Sequence, residues 1–135
     1  MVDPFDIVIF GGSGDLAFRK LVPALYRAHL AGKLPAGSRI IPACRKPKVV
    51  ENYIETIEDA LQQHLGDDEF CPDAWQNFKE FIFPVVLNVP VMEGHWHALS
   101  KFMSEEKEKA RVFYLAIPPS IFGICCQHLA EVLRT

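Results

Sequence analysis

The sequence predicts an α/β domain built on a doubly wound parallel sheet, and three observations carry that expectation. Short runs of branched apolar residues alternate with segments of helical periodicity, the pattern left by βαβ crossovers. The apolar runs are nearly continuous instead of alternating with polar residues, as strands buried on both faces require. No repeat, low-complexity tract or linker interrupts the alternation, and 135 residues are enough to bury one core.

The elements follow in order. Phe5–Phe10 (FDIVIF) is the first strand, and Gly11-Gly12-Ser13-Gly14 stops it. From Asp15 onward, Phe18, Leu21, Val22, Leu25 and His29 recur every three or four positions, which is one face of a helix. Pro23 lies inside that pattern and is expected to kink or break it. Gly32 and Pro35-Ala36-Gly37 mark a loop, after which Arg39–Cys44 (RIIPAC) reads as a second strand. Pro42 weighs against that reading, because proline has no N–H for the ladder. Val50, Tyr53, Ile54, Ile57, Leu61 and Leu65 trace one helix over 49–65, ended by Gly66-Asp67-Asp68. A short amphipathic piece over 74–79 comes next, then a third strand over 81–87 (FIFPVVL).

Trp96, Leu99, Phe102 and Met103 suggest a further helix, with the charged stretch 105–109 as its solvated end. The clearest strand is 111–117 (RVFYLAI), closed by Pro118-Pro119. Ile121, Ile124, Cys125, His128, Leu129 and Val132 form the last helical stripe. The alternation stops at Thr135, so the sheet is expected to be incomplete at its C-terminal end.

A net charge of −3 offers no electrostatic footprint for nucleic acid or an anionic membrane. Cys44, Cys71, Cys125 and Cys126 form no C-x-x-C pair and no zinc spacing, so reduced and mostly buried thiols are expected. His29, His64 and His128 fall on helical stripes and read as packed or partly exposed, and His95-x-His97 lacks a third ligand nearby. No metal is expected. The chain opens Met1-Val2-Asp3-Pro4 without a basic start, and no apolar run approaches membrane-spanning length. A cytoplasmic location follows by elimination.

The strongest local signal is the first strand-to-helix junction. Gly12-x-Gly14-x-x-Ala17 satisfies the G-x-G-x-x-G/A dinucleotide pattern after a buried strand and at a helix start, which points to a Rossmann-like sheet. Glycines let the backbone turn sharply against a pyrophosphate, whose charge meets the free N–H groups at the helix start. The candidate turn is Gly11, Gly12, Ser13, Gly14, Asp15 and Leu16, with the Asp15 carboxylate balancing the helix dipole instead of touching phosphate. No Gly-Lys-Ser/Thr follows, so a P-loop is excluded. The second strand ends in Cys44-Arg45-Lys46-Pro47-Lys48, with no acid before Glu51 to take the ribose hydroxyls of NAD. Three cations, Arg45 foremost, suit a 2′-phosphate, and NADP is the expected coenzyme.

Together these residues resemble the amino-terminal coenzyme domain of the glucose-6-phosphate dehydrogenase family. Gly11-Gly-Ser-Gly-Asp-Leu-Ala17, followed by Arg19-Lys20-Leu21 and Pro23, is similar to that family's G-x-S-G-D-L-A signature. The family register matches Gly11, Gly14 and Ala17 and leaves Gly12 at a variable site. The likeness continues at Ala43-Cys44-Arg45 and at Phe113-Tyr-Leu-Ala-Ile-Pro-Pro119, and it covers essentially the whole chain.

The resemblance implies that Arg45 contacts the 2′-phosphate and that Ile117 and Pro118 line the coenzyme, Pro118 matching a proline usually in the cis form. It further implies that Asn88 borders the adenine and that Lys20 binds the sugar phosphate. The activity implied is oxidation of glucose 6-phosphate to its lactone with formation of NADPH, in the pentose phosphate pathway, by a homo-oligomer when full length. The family's E-K-P-F-G and R-I-D-H-Y-L-G-K-E segments have no counterpart, so the catalytic His is expected beyond Thr135 and the fragment alone is expected to be inactive. The alternatives are a non-catalytic NADP-binding redox sensor, which needs no substrate lysine at Lys20, and a structural domain with an empty glycine turn.

Overall fold

Four parallel strands, β1 (Phe5–Phe10), β2 (Arg39–Cys44), β3 (Val85–Val86) and β4 (Ala110–Leu115), form one sheet in the order β3-β2-β1-β4. This computed structural model describes residues 3–66, 68–90, 95–104 and 109–133. The α/β doubly wound class is as the sequence predicts. Alternation along β1 sends Ile7 and Ile9 to one face and Val8 and Phe10 to the other, and both faces are covered.

On the first face lie α1 (Val22–Leu30), α2 (Pro47–Glu51), α3 (Tyr53–His64) and α4 (Pro72–Phe78), whose Tyr26, Tyr53, Ile57, Leu61, Trp75 and Phe78 complete one core. On the second lie α5 (His95–Ser104) and α6 (Phe122–Leu133), which bring Trp96, Leu99, Met103, Cys125, Leu129 and Val132.

Prolines explain most departures from the expected elements. Pro23 does not break its helix. The turn before it, Ala17–Leu21, widens to the π form, and the Val22 N–H reaches back to the Ala17 carbonyl. That widening absorbs the ring and the missing donor of a proline at the start of α1. In β2, the register that sets Ala43 against Val85 puts Pro42 opposite Pro84. Neither residue has an N–H to give. The third strand therefore shrinks from the expected 81–87 to Val85–Val86 plus a bridge at Ile82, held on either side by Phe83 N–H to Ile40 O (2.8 Å) and Leu87 N–H to Cys44 O (2.8 Å). The single helix expected over 49–65 is two, α2 and α3, which meet at Asn52, whose side-chain amide and backbone N–H both donate to the Lys48 carbonyl, at 3.2 and 3.3 Å.

Two side-chain expectations also change. Cys44 and Cys125 are buried, but Cys71 and Cys126 are exposed; all four are free. Residues 105–108 lie outside the described set, but Lys109 is no solvated helix end. Its ammonium sits 2.8 Å from the Asp6 carboxylate, which is fully buried within β1. Arg39 of β2 grips the same carboxylate with two hydrogen bonds of 2.9 and 2.7 Å, and Arg111 of β4 stands 3.4 Å away. Register makes this cluster, since Asp6 pairs with Arg39 on one side and Arg111 on the other. Burial pushes the Asp6 carboxyl upward, but the Arg39 and Lys109 hydrogen bonds and charges outweigh it, and the net shift is downward.

A carboxyl depressed in the folded state contributes stability above its unfolded pKa, here the ordinary 3.8, and loses it as pH falls through the lower folded value. Stability measured by urea unfolding should therefore fall off below about pH 4, and Asp6→Asn should flatten that part of the profile. The same substitution strands buried cations and should lower stability at pH 7 by about 3–5 kcal/mol. A loss under 1 kcal/mol would show the cluster to be dispensable.

Among the described residues no strand pairs with the outer edge of β4, where Val112 is 49% and Tyr114 36% exposed. Unpaired apolar edges template association. Sedimentation should show the chain self-associating with rising concentration and Val112→Lys remaining monomeric; identical profiles would mean that this edge is inert.

Candidate functional site

A cavity of about 470 Å³ opens at the carboxyl ends of the strands, between the turn after β1, the ends of β2 and β4, and the segment after β3. It lies where the sheet reverses direction, with β2 on one side of β1 and β4 on the other. Open parallel sheets bind their ligands at that switch point.

Backbone hydrogen bonds fix the turn. The N–H groups of Gly11 and Gly12 both donate to the Ala43 carbonyl, at 3.1 and 3.2 Å. Gly14 N–H closes onto Gly11 O at 3.0 Å, and the helix begins with Phe18 N–H to Gly14 O at 3.1 Å. The N–H groups of Ser13, Asp15 and Leu16 have no backbone acceptor among the described residues. Orphan donors at a helix start, aligned with the helix dipole, are the ordinary apparatus for binding an anion.

Two glycines are required by space. Gly11 has a φ of 81°, and a Cβ there would lie 2.3 Å from the Ala116 carbonyl oxygen. β1 and β4 could not then close over each other. At Gly12 a Cβ would come within 2.6 Å of Pro42 Cβ. The family register leaves this position variable, but in this chain Pro42 removes that freedom. Ala17, fully buried, lets the helix settle against the sheet.

Under the turn, the buried Tyr53 hydroxyl donates to the Gly12 carbonyl at 2.7 Å. Burial and the neighbouring Cys44 push the Tyr53 hydroxyl well above its usual pKa. Burial likewise lifts the Cys44 thiol to about 11, with a hydrogen bond from Ser13 opposing the shift. Both groups therefore stay neutral through the physiological range. On the opposite wall, the Val89 carbonyl accepts from Trp96 Nε1 at 3.3 Å and from His128 Nδ1 at 2.8 Å, so that nitrogen carries the ring proton.

The cavity gathers Gly11, Ser13, Gly14, Arg45, Asn88, Ile117 and Pro118, all of them candidates from the sequence. Gly12 sits beneath, buried. Asp15 and Leu16 are exposed on the first helical turn and do not line it; the Asp15 carboxylate pairs instead with Arg19 at 3.2 Å. Lys20, exposed on the next turn, does not line it either. The described residues contain no cis peptide bond, so Ile117–Pro118 is trans where the family likeness implies cis. Trans is the lower-energy form for X–Pro, by about 0.5–1 kcal/mol. The side chains of His95 and His97 lie outside what the structure describes.

Sequence reasoning missed Ala43, Leu87, Val89, Pro90 and Ile121 as wall residues and took Tyr53 only as part of an apolar stripe. A tyrosine in such a stripe carries a hydroxyl that must find a partner when buried, and that was the available signal.

The family described as "Glucose-6-phosphate dehydrogenase, NAD binding domain" matches residues 8–135. The chain belongs to this family. Among curated glucose-6-phosphate 1-dehydrogenases, the Rhizobium meliloti protein is 40% identical over 122 residues, covering 90% of this chain and 25% of its own length. That of Gluconobacter oxydans is 36% identical over 129 residues, covering 95% and 26%. The chain thus spans about a quarter of these relatives.

A crystal structure of the Mycobacterium avium glucose-6-phosphate 1-dehydrogenase shares the fold at a TM-score of 0.83 and 22% identity, over 96% of this chain and 27% of its own. A glucose-6-phosphate dehydrogenase in complex with glucose-6-phosphate aligns at a TM-score of 0.79 and 31% identity, over 100% and 29%.

Gly11→Ala should destabilise the chain by at least about 2 kcal/mol, since it combines a left-handed backbone with a backbone clash. Thermal unfolding would register this, and an unchanged midpoint would mean that β4 does not close on the turn as described.

Proposed function

We propose that these residues form the coenzyme-binding part of a glucose 6-phosphate dehydrogenase and take NADP in preference to NAD. The observation that carries this reading is the presence of Arg45 in the same cavity as the glycine turn, with no Asp or Glu among the described lining residues. A guanidinium grips a 2′-phosphate through paired hydrogen bonds, whereas the ribose of NAD is normally held by a carboxylate. The cavity's volume falls within the range of ligand sites, roughly 300–1,000 Å³. The close approach at Gly11 and Gly12 is the cradle such a ligand needs, since a side chain at either position would push the turn off its seat.

Each residue then has a task. The N–H groups of Ser13, Asp15 and Leu16 meet the pyrophosphate charge, and Arg45 meets the 2′-phosphate. Asn88 borders the adenine, and Ile117 and Pro118 form the facing wall. Lys20 supplies a cation for the sugar phosphate. When bound there, NADP would supply the acceptor for the hydride leaving C1 of glucose 6-phosphate, whose product would be the lactone. The hydroxyl proton passes to a base that we assign to the chain following residue 135 in a full-length protein of cytoplasmic, homo-oligomeric type.

Calorimetric titration of the chain should show NADP binding at least tenfold more tightly than NAD, by the worth of a charged hydrogen-bond pair, roughly 1.5–3 kcal/mol. Arg45→Ala should abolish that preference while leaving NAD affinity nearly unchanged. Failure of both coenzymes to bind would overturn the reading. In a full-length enzyme, Lys20→Ala should raise the KM for glucose 6-phosphate without altering coenzyme affinity; an unaffected KM would remove Lys20 from the site.

A further inference from the structure

Three backbone N–H groups in the glycine turn are already committed inside the protein: Gly11 and Gly12 to the Ala43 carbonyl, and Gly14 to the Gly11 carbonyl. Ser13 is the exception within the turn itself, and it lines the cavity. Its N–H belongs to the same peptide plane as the Gly12 carbonyl. In a trans peptide the two point in opposite directions. Whatever holds the Gly12 carbonyl down therefore aims the Ser13 N–H away from it. The group that holds it is the hydroxyl of Tyr53, 2.7 Å away on α3.

We propose that Tyr53 is a positioning residue for the coenzyme: its hydroxyl anchors the Gly12 carbonyl below the turn and so turns the Ser13 N–H into the cavity toward the coenzyme's pyrophosphate. The inference rests on the reading of this cavity as the coenzyme site. Burial and two further contacts make the anchor rigid. Tyr53 is wholly buried, so its ring has no room to swing. Phe18, the residue that opens the helical ladder after the turn, packs on that ring at a centroid distance of 5.8 Å. On the other side Gly12 lies against Pro42, whose ring sits in the middle of β2. The Gly12–Ser13 peptide is thus clamped from the helix side by a hydroxyl and from the sheet side by a proline. Without the hydroxyl, the buried carbonyl has no partner and the peptide gains a reason to rotate, taking the Ser13 N–H with it.

The test uses the whole chain, the Tyr53→Phe variant and NADP as the probe. Tyr53→Phe keeps the ring and its packing and removes only the donor. The dissociation constant for NADP should rise roughly three- to tenfold, the worth of one neutral hydrogen bond. A merely structural tyrosine would lower the unfolding temperature and leave that constant unchanged, which would overturn the proposal.

Amide NMR of the unsubstituted chain supplies a second readout that does not depend on the variant folding. On addition of NADP the Ser13 amide proton should move downfield while those of Gly11 and Gly12, held on Ala43, move little. A Ser13 amide that stays in place while neighbouring cavity residues respond would also overturn it. If the unsubstituted chain binds no NADP, the coenzyme-site reading fails, and this inference with it. Binding that is equal in both proteins refutes only the role of Tyr53.

Discussion

The carbonyl of Ala43, at the end of β2, accepts two hydrogen bonds at once, from the N–H groups of Gly11 and Gly12. That shared acceptor ties the exit of β1 to the exit of β2 and holds the chain where it turns into the helix. Much of the cavity's shape follows from it. With Gly11 pinned on this side, its other side closes on Ala116, and β4 can approach only because no side chain intervenes. With Gly12 pinned, its α-carbon meets Pro42 and its carbonyl drops to Tyr53. Of the donors left over, only that of Ser13 belongs to a residue lining the cavity. A turn with so few degrees of freedom is pre-organised, and a ligand binding to it loses little in ordering the protein.

The two ends of the sheet divide the work. At the carboxyl end the backbone is left partly unsatisfied, and the lining is apolar and amide-rich around one arginine. At the amino end a single buried carboxylate draws Arg39, Lys109 and Arg111 together across three adjacent strands. The first end leaves its groups open. The second closes its groups upon one another, and an arrangement of that kind fixes strand order and register, since a shift of one residue would leave the carboxylate facing the wrong neighbours.

Much of this was legible in the sequence. Buried strands announced themselves as unbroken apolar runs, and the glycine turn was recognisable because its chemistry is local: every residue that shapes it lies within a few positions. Arg45 was readable from the basic turn after the second strand, and Asn88, Ile117 and Pro118 through likeness to a family; the structure brings all four to one cavity. What escaped was non-local. Pro42 looked like a weak point in a strand, and nothing in the sequence placed Pro84 opposite it or Gly12 against it. Tyr53 read as one more apolar position on a helix stripe. Lys109 seemed part of a charged, solvated stretch, because its partner lies on a strand more than a hundred positions earlier. Periodicity reports which face a residue occupies and says nothing about which groups meet it there.

The order of the strands has a consequence for how the molecule comes into being. β1 pairs with β4 from Phe5 against Ala110 to Phe10 against Leu115, and on the order of a hundred residues lie between these partners. The first core draws its buried residues from Ile7 to Ile82, so it can consolidate as soon as that part of the chain exists. The second core, and the wall made by Ala116, Ile117 and Pro118, must wait for α5, β4 and α6. During synthesis the glycine turn thus leaves the ribosome on the order of a hundred residues before β4, and its cavity cannot close until that strand has emerged. For all that interval the chain carries the glycine turn without the wall that faces it.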